Sequence, residues 1–162
     1  MIIHYMQDRD RALLLSPIPR KNWEIDAYPV NEIAEYVQDV SQGDIDVLVE
    51  EYYNKYDMIL DGRDPEEFKK HVAVQAGIEI GFERFLEEKN YQAIVTHFGD
   101  LGSLKQLPGL AIQRLIEKGY GFGGEGDWKT AAMGIEAVYI DGDTTIRNLQ
   151  NELRWNSMYF SK

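Results

Sequence analysis

Asp64-Pro65-Glu66-Glu67 opens a helical pattern that runs to Lys89, then feeds through Asn90-Tyr91-Gln92 into the apolar run Ala93-Ile94-Val95-Thr96. An aspartate at the cap, proline in the first turn and glutamates behind it suit the unpaired amides of a helix start. Val74, Ile78, Phe82 and Phe85 recur at helical spacing and form one apolar stripe, which needs a flat partner such as a sheet. His71, near the first turns, is read as structural or solvent-facing. A helix of about seven turns that delivers the chain into a short apolar strand is an α/β unit. The fold expected is therefore α/β, three-layer and Rossmann-like, with a short, mostly parallel sheet flanked by helices.

Upstream, Ala12-Leu13-Leu14-Leu15 reads as a buried strand stopped by Ser16-Pro17-Ile18-Pro19, and Arg20 to Asp26 as the loop after it. Asn31 is expected to cap a helix with Ile33, Val37 and Val40 on one face, and Ser41-Gln42-Gly43-Asp44 to break and restart the chain. Ile45, Leu48, Tyr52 and Tyr56 then fall at helical spacing, the tyrosines as the edge of a core rather than a stacking platform. Downstream, Leu107-Pro108-Gly109 opens a helix with Leu110, Leu115 and Ile116 inward, Glu117 and Lys118 outward, and Gly119 as its stop. Asp127 can cap a helix through Met133, which Gly134 interrupts. A strand at Ala137-Val138-Tyr139-Ile140, the turn Asp141-Gly142-Asp143 and a last helix carrying Ile146, Leu149 and Leu153 are expected to complete the chain. No repeat or linker divides residues 1–162, so one domain is expected, with 134–162 as a divergent C-terminal segment.

The bulk composition excludes several classes. The 162 residues are 44% apolar and 12% aromatic, enough for a real core. A formal charge of −11 and the lack of a Lys/Arg cluster among aromatics argue against nucleic acid as a partner. The absence of cysteine removes disulfides, thiolate catalysis and zinc–sulfur sites. No apolar run approaches the ~20 residues that span a bilayer, and the first residues lack the order of a signal peptide, so the cytoplasm is the expected location.

The densest concentration of backbone freedom is Gly119-Tyr120-Gly121-Phe122-Gly123-Gly124-Glu125-Gly126-Asp127-Trp128-Lys129-Thr130. It reads as a glycine-rich loop around a single glutamate. Gly121 to Gly126 match the spacing of a dinucleotide fingerprint, but that motif follows a strand, whereas a helix is expected here. Glu125 is better placed as an ionised carboxylate at a helix N-terminus, able to bind a hard divalent cation or to move a proton. Asp127 is assigned to capping. His97 and Asp100, just after the Ala93–Thr96 strand, lie where they could converge with Glu125.

Two stretches carry a resemblance. Leu104-Lys105-Gln106-Leu107-Pro108-Gly109-Leu110-Ala111 with Gln113-Arg114-Leu115, and Gly119 to Phe122 running into Gly124 to Ala132, resemble L-arabinose isomerases closely. Weaker similarity extends the match to about Trp23–Met133, the family's central, Rossmann-like domain. The resemblance implies a metal-dependent aldose–ketose isomerase, converting L-arabinose to L-ribulose with a divalent cation, usually Mn²⁺. It implies that Glu125 binds that metal and takes part in proton transfer between C1 and C2, and that Phe98 lines the pocket for an aldopentose sugar.

Three departures qualify what is implied. Gly99 stands where the family usually has a glutamate, in a Phe-Glu-Asp-Leu pattern. Gly134 and an unfamiliar segment follow Met133. The family's second glutamate and two histidines have no counterpart here, and its enzymes are much longer. Homo-oligomerisation or flanking domains would have to supply what is missing, and no isomerase activity is expected of this chain alone. A non-catalytic sugar- or partner-binding domain and an acidic interaction module remain as alternative readings.

Overall fold

The computed structural model describes residues 2–4, 25–97, 99, 101–132 and 134. Four strands, β1 (Ile2–His4), β2 (Ile25–Ala27), β3 (Ala93–Thr96) and β4 (Gly121–Gly124), form one sheet in the order β2-β1-β3-β4. Every neighbouring pair in it is parallel. Among the described residues, helices α1 (Val30–Gln38), α2 (Gln42–Lys55) and α3 (Pro65–Glu88) lie between β2 and β3, and α4 (Gly109–Glu117) between β3 and β4. The α/β class and the parallel sheet flanked by helices are as the sequence predicts. Among the described residues no helix is long and apolar enough to cross a membrane.

The two faces of the sheet are covered differently. Strand residues alternate faces, so Ile94 and Phe122 enter a core with Ile33 of α1, Ile78, Phe82 and Phe85 of α3 and Leu115 of α4. Ala93 and Val95 point the other way, against Trp128, Ala131 and Ala132 of a helical segment beginning at 128. Helix α3 lies between the sheet side and α2, whose Val49 and Tyr52 pack on Val72 and Ala76. This explains why α3 is apolar on more than its predicted stripe.

The start of α3 is as expected, Asp64 Oδ1 accepting from the Glu66 and Glu67 amides at 3.0 and 2.9 Å. Its end and that of α4 use the same device. Asn90 and Gly119 take left-handed φ values of 57° and 105°. The following Tyr91 and Tyr120 amides reach back to Leu86 and Leu115 carbonyls at 2.8 and 3.0 Å. That geometry closes a helix by satisfying its last carbonyls, and here it turns each chain straight into a strand.

Several expectations need correction. Asn31 is not the cap of α1, because Pro29 holds that position; its Oδ1 instead accepts from the Ser103 amide at 3.1 Å and ties down the loop after β3. Ile25 and Asp26, read as loop, belong to β2. The supposed glycine loop is a buried strand over Gly121–Gly124. Gly134, expected to interrupt the helix that Asp127 caps, is itself helical, and a Cβ there would lie 3.5 Å from Gly121 Cα. His71 is exposed, as expected. The strands read at 12–15 and 137–140 and the helix from 146 lie outside the described residues.

Between α2, α3 and α4 lies a polar network that the hydrophobic pattern does not announce. Glu79 is fully buried and accepts from the Tyr52 hydroxyl and from Arg114 Nε at 3.3 Å, with Lys118 Nζ at 2.9 Å. Arg114 also pairs with Glu51. Burial, reinforced by the Glu79 charge, pushes the Tyr52 hydroxyl pKa up, so it stays a donor. Lys118 is exposed, as expected, while its ammonium reaches in to Glu79.

Gly81 is required for a different reason. A Cβ there would sit 2.6 Å from Val37 Cα and 2.7 Å from Val37 N, which are backbone atoms of α1. Helix propensity alone favours alanine by about 1 kcal/mol, but overpacking against a backbone costs about 1–3 kcal/mol. Gly81→Ala is therefore expected to lower stability by up to about 2 kcal/mol in urea unfolding. A rise in the unfolding midpoint would contradict the close approach of α1 and α3.

Candidate functional site

Parallel register brings two loops together. Thr96 of β3 pairs with Gly124 of β4, so His97 and Glu125, each one residue further on, leave the sheet side by side at its C-terminal edge. In open α/β sheets that edge is where ligands bind. The convergence of His97 with Glu125 expected from the sequence is present: His97 Nε2 lies 3.3 Å from Glu125 Oε2, with the side chains 32% and 54% exposed. Phe98 and Asp100 lie outside the described residues.

Glu125 sits in an unusual backbone state. Its φ of 53° is left-handed, and Gly126 continues at 81°. For a residue with a Cβ this conformation is disfavoured, and such positions cluster at functional sites. The turn is closed by the Asp127 amide donating to the Gly124 carbonyl at 3.0 Å. Asp127 then caps the next helix, Oδ1 accepting from the Thr130 amide at 3.0 Å and Oδ2 from the Thr130 hydroxyl. The capping role read from the sequence is therefore correct, and it leaves Glu125 as the carboxylate of this turn that is not used for capping.

His97 is oriented from behind. The Gly99 amide donates to its Nδ1 at 3.1 Å. Its ring also borders a small, mostly apolar pocket shared with Val30, Ile33, Phe82, Ile94 and Leu104. The pocket volume is ≈ 20 Å³, room for about one water. The buried Thr96 Oγ1 has no hydrogen-bond partner among the described residues. Sequence reasoning did not single it out, since a threonine ending a strand is ordinary.

Among the described residues no group of three or more His, Asp or Glu side chains is placed to hold a metal ion. One exposed carboxylate and one imidazole fall short of the several ligands that Mg²⁺- or Mn²⁺-type cations use. The described residues do not by themselves fit such a cation.

Comparison with known proteins agrees with this picture of a part. Residues 19–141 match the family model described as the L-arabinose isomerase central domain, somewhat wider than the resemblance read at 23–133. The L-arabinose isomerase of Geobacillus kaustophilus (strain HTA426) is 44% identical over 124 residues, covering 76% of this chain and 25% of that protein. That of Serratia proteamaculans (strain 568) is 46% identical over 121 residues, covering 74% and 24%. L-arabinose isomerase 1 of Clostridium acetobutylicum is 49% identical over 111 residues, covering 68% and 23%. The chain spans about a quarter of the length of the curated relatives it matches. With its four parallel strands and the ordered match through most of its length, this chain belongs to the L-arabinose isomerase central-domain family.

Proposed function

We propose that this domain contributes one carboxylate, Glu125, and part of a sugar pocket to an aldose–ketose isomerase that interconverts L-arabinose and L-ribulose. The observation that carries the reading is the position of Glu125. It stands in a left-handed turn at the C-terminal edge of a parallel sheet, beside His97, within the segment shared with the isomerases. A carboxylate there can take the proton from C2 of the aldose and return it to C1, while the O2 hydroxyl proton passes to O1 to complete the isomerisation. Phe98 would border the sugar. Glu125 would be one ligand of a Mn²⁺ ion, whose other ligands come from flanking domains or from a second copy of the chain. When bound, such a cation supplies charge stabilisation to the sugar oxygens.

The chain alone is then expected to convert no L-arabinose, with or without Mn²⁺. Mn²⁺ should bind weakly, with a dissociation constant on the order of millimolar. Because the ion is paramagnetic, it should broaden the NMR signals of Glu125 and its neighbours first, and Glu125→Gln should abolish that broadening. Broadening centred on another part of the molecule would remove Glu125 from the metal site. Measurable Mn²⁺-dependent formation of L-ribulose would show that the chain is a sufficient enzyme.

A further inference from the structure

The connection from β3 to α4 leaves the sheet beside the site, and two helices hold it through carboxamide side chains. Backbone groups outside a sheet need partners elsewhere, and here α1 and α3 supply them. The Ser103 amide donates to Asn31 Oδ1 of α1 at 3.1 Å. Gln38, about two turns further along that helix, donates through Nε2 to Ser103 Oγ at 3.3 Å. Gln75 of α3 donates through Nε2 to the Leu107 carbonyl and to Gln106 Oε1, both at 2.8 Å. Its Oε1 accepts from the Ala111 amide at 3.4 Å. That last bond matters because Pro108 holds the cap position of α4 and makes no side-chain cap bond. Gln75 thus caps α4 from another helix and fixes the loop just ahead of it.

The first pin lies directly on α1. Leu101 to Leu104 form a tight turn, closed by the Leu104 amide on the Leu101 carbonyl at 2.9 Å, with Gly102 at a left-handed φ of 50°. A Cβ on Gly102 would lie 2.2 Å from Val30 Cγ1 and 2.5 Å from Asn31 Oδ1. The turn therefore sits against the start of α1 with no room for a side chain between them. Both pins serve one wall. Leu101 and Leu104 of the turn, Leu107 at the second pin and His97 all line the small pocket at the sheet edge.

We propose that Asn31 and Gln75 are positioning residues for this wall. They pin it at Ser103 and Leu107 to two helices that pack on the sheet. The pocket beside His97 then stands formed before a sugar arrives, and the connection does not work as a lid. The proposal rests on the reading of this edge as part of a sugar site. A loop already held in its bound form loses less conformational freedom on binding, and that difference appears as affinity. Both pins are neutral carboxamides, so salt does not loosen them as it would an exposed ion pair.

The test is amide hydrogen exchange and side-chain NMR on the whole 162-residue protein, with and without L-arabinose. Asn31→Ala should speed exchange of the Ser103 amide about fivefold, the usual worth of one hydrogen bond. Asn31→Asp, which keeps an acceptor oxygen, should restore most of the protection. Gln75→Met should speed exchange of the Ala111 amide in the same way. Both Asn31→Ala and Gln75→Met should move the His97 ring and Leu104 methyl signals. The indole signal of Trp128, on the opposite face of the sheet, should stay in place. Added L-arabinose should shift signals of the wall without slowing Ser103 exchange.

Equal Ser103 exchange in the parent and Asn31→Ala proteins, or His97 and Leu104 signals unmoved by both substitutions, would overturn the proposal. Ser103 exchange slowed by L-arabinose would overturn it too, because the wall would then close on the sugar. If the substitutions act as stated and L-arabinose shifts no signal of the wall, the pins stand and the sugar-pocket reading of this edge fails.

Discussion

Arg114→Met is expected to lower the stability of this domain by about 3 kcal/mol, measured by urea unfolding. The loss does not come from the arginine's own hydration, since its side chain is only 7% exposed in the folded state. It comes from Glu79, which is fully buried and would be left with fewer donors. Breaking a buried pair costs about 3–5 kcal/mol because a charge is stranded. The Tyr52 hydroxyl and Lys118 Nζ still face Glu79, which places this case at the low end. The double variant Arg114→Met with Glu79→Met separates the causes. If the single loss is a stranded carboxylate, removing it should return part of the stability, with a coupling of about 1–3 kcal/mol. Strictly additive losses would mean that Arg114 acts only through packing, and the network would then have no electrostatic share in the fold.

That network also shows where sequence reading stops. The start of α3 at Asp64, its stripe, β3 and the closure of α4 at Gly119 all follow from local rules, because caps, proline and helical periodicity act within a few residues. Glu79 and Arg114 are invisible to those rules: each is an ordinary charged residue until three helices meet around it. Asn31 was read as a cap by residue type, yet its oxygen serves the Ser103 amide far along the chain. The glycines before Glu125 misled for a related reason. Glycine signals a loop on its own, whereas in β4 it marks a strand that another segment approaches too closely for any side chain. Reading β4 as a loop hid the register, and the register is what sets His97 beside Glu125. The placement of loops after strands brings the two residues to the same edge of the sheet. The contact itself, and the part of Gly99 in it, needed atomic positions.

The close approach at β4 predicts the sharpest steric effect among the described glycines. A Cβ on Gly123 would lie 1.9 Å from the Asp127 carbonyl oxygen and 2.8 Å from its carbon. Neither partner can yield cheaply. The carbonyl accepts the Ala131 amide at 3.3 Å and so belongs to the first turn of the next helix. The strand cannot withdraw either, because Gly123 pairs with Val95 of β3. Gly123→Ala should therefore destabilise by about 3 kcal/mol or more, at or above the usual upper range for overpacking. It should also separate His97 from Glu125, since Glu125 lies in the turn between the colliding atoms. Gly43→Ala is the control: its Cβ would meet only Ser41 Oγ, at 3.9 Å, within a helix. There alanine should stabilise by about 0.5 kcal/mol. The same chemical change thus has opposite signs at the two positions, and thermal or urea unfolding of the pair reads both. A Gly123→Ala protein as stable as the parent would mean that the helix does not close onto β4. The left-handed turn at Glu125 would then have no steric cause, and its φ could no longer be taken as a constraint imposed by the fold.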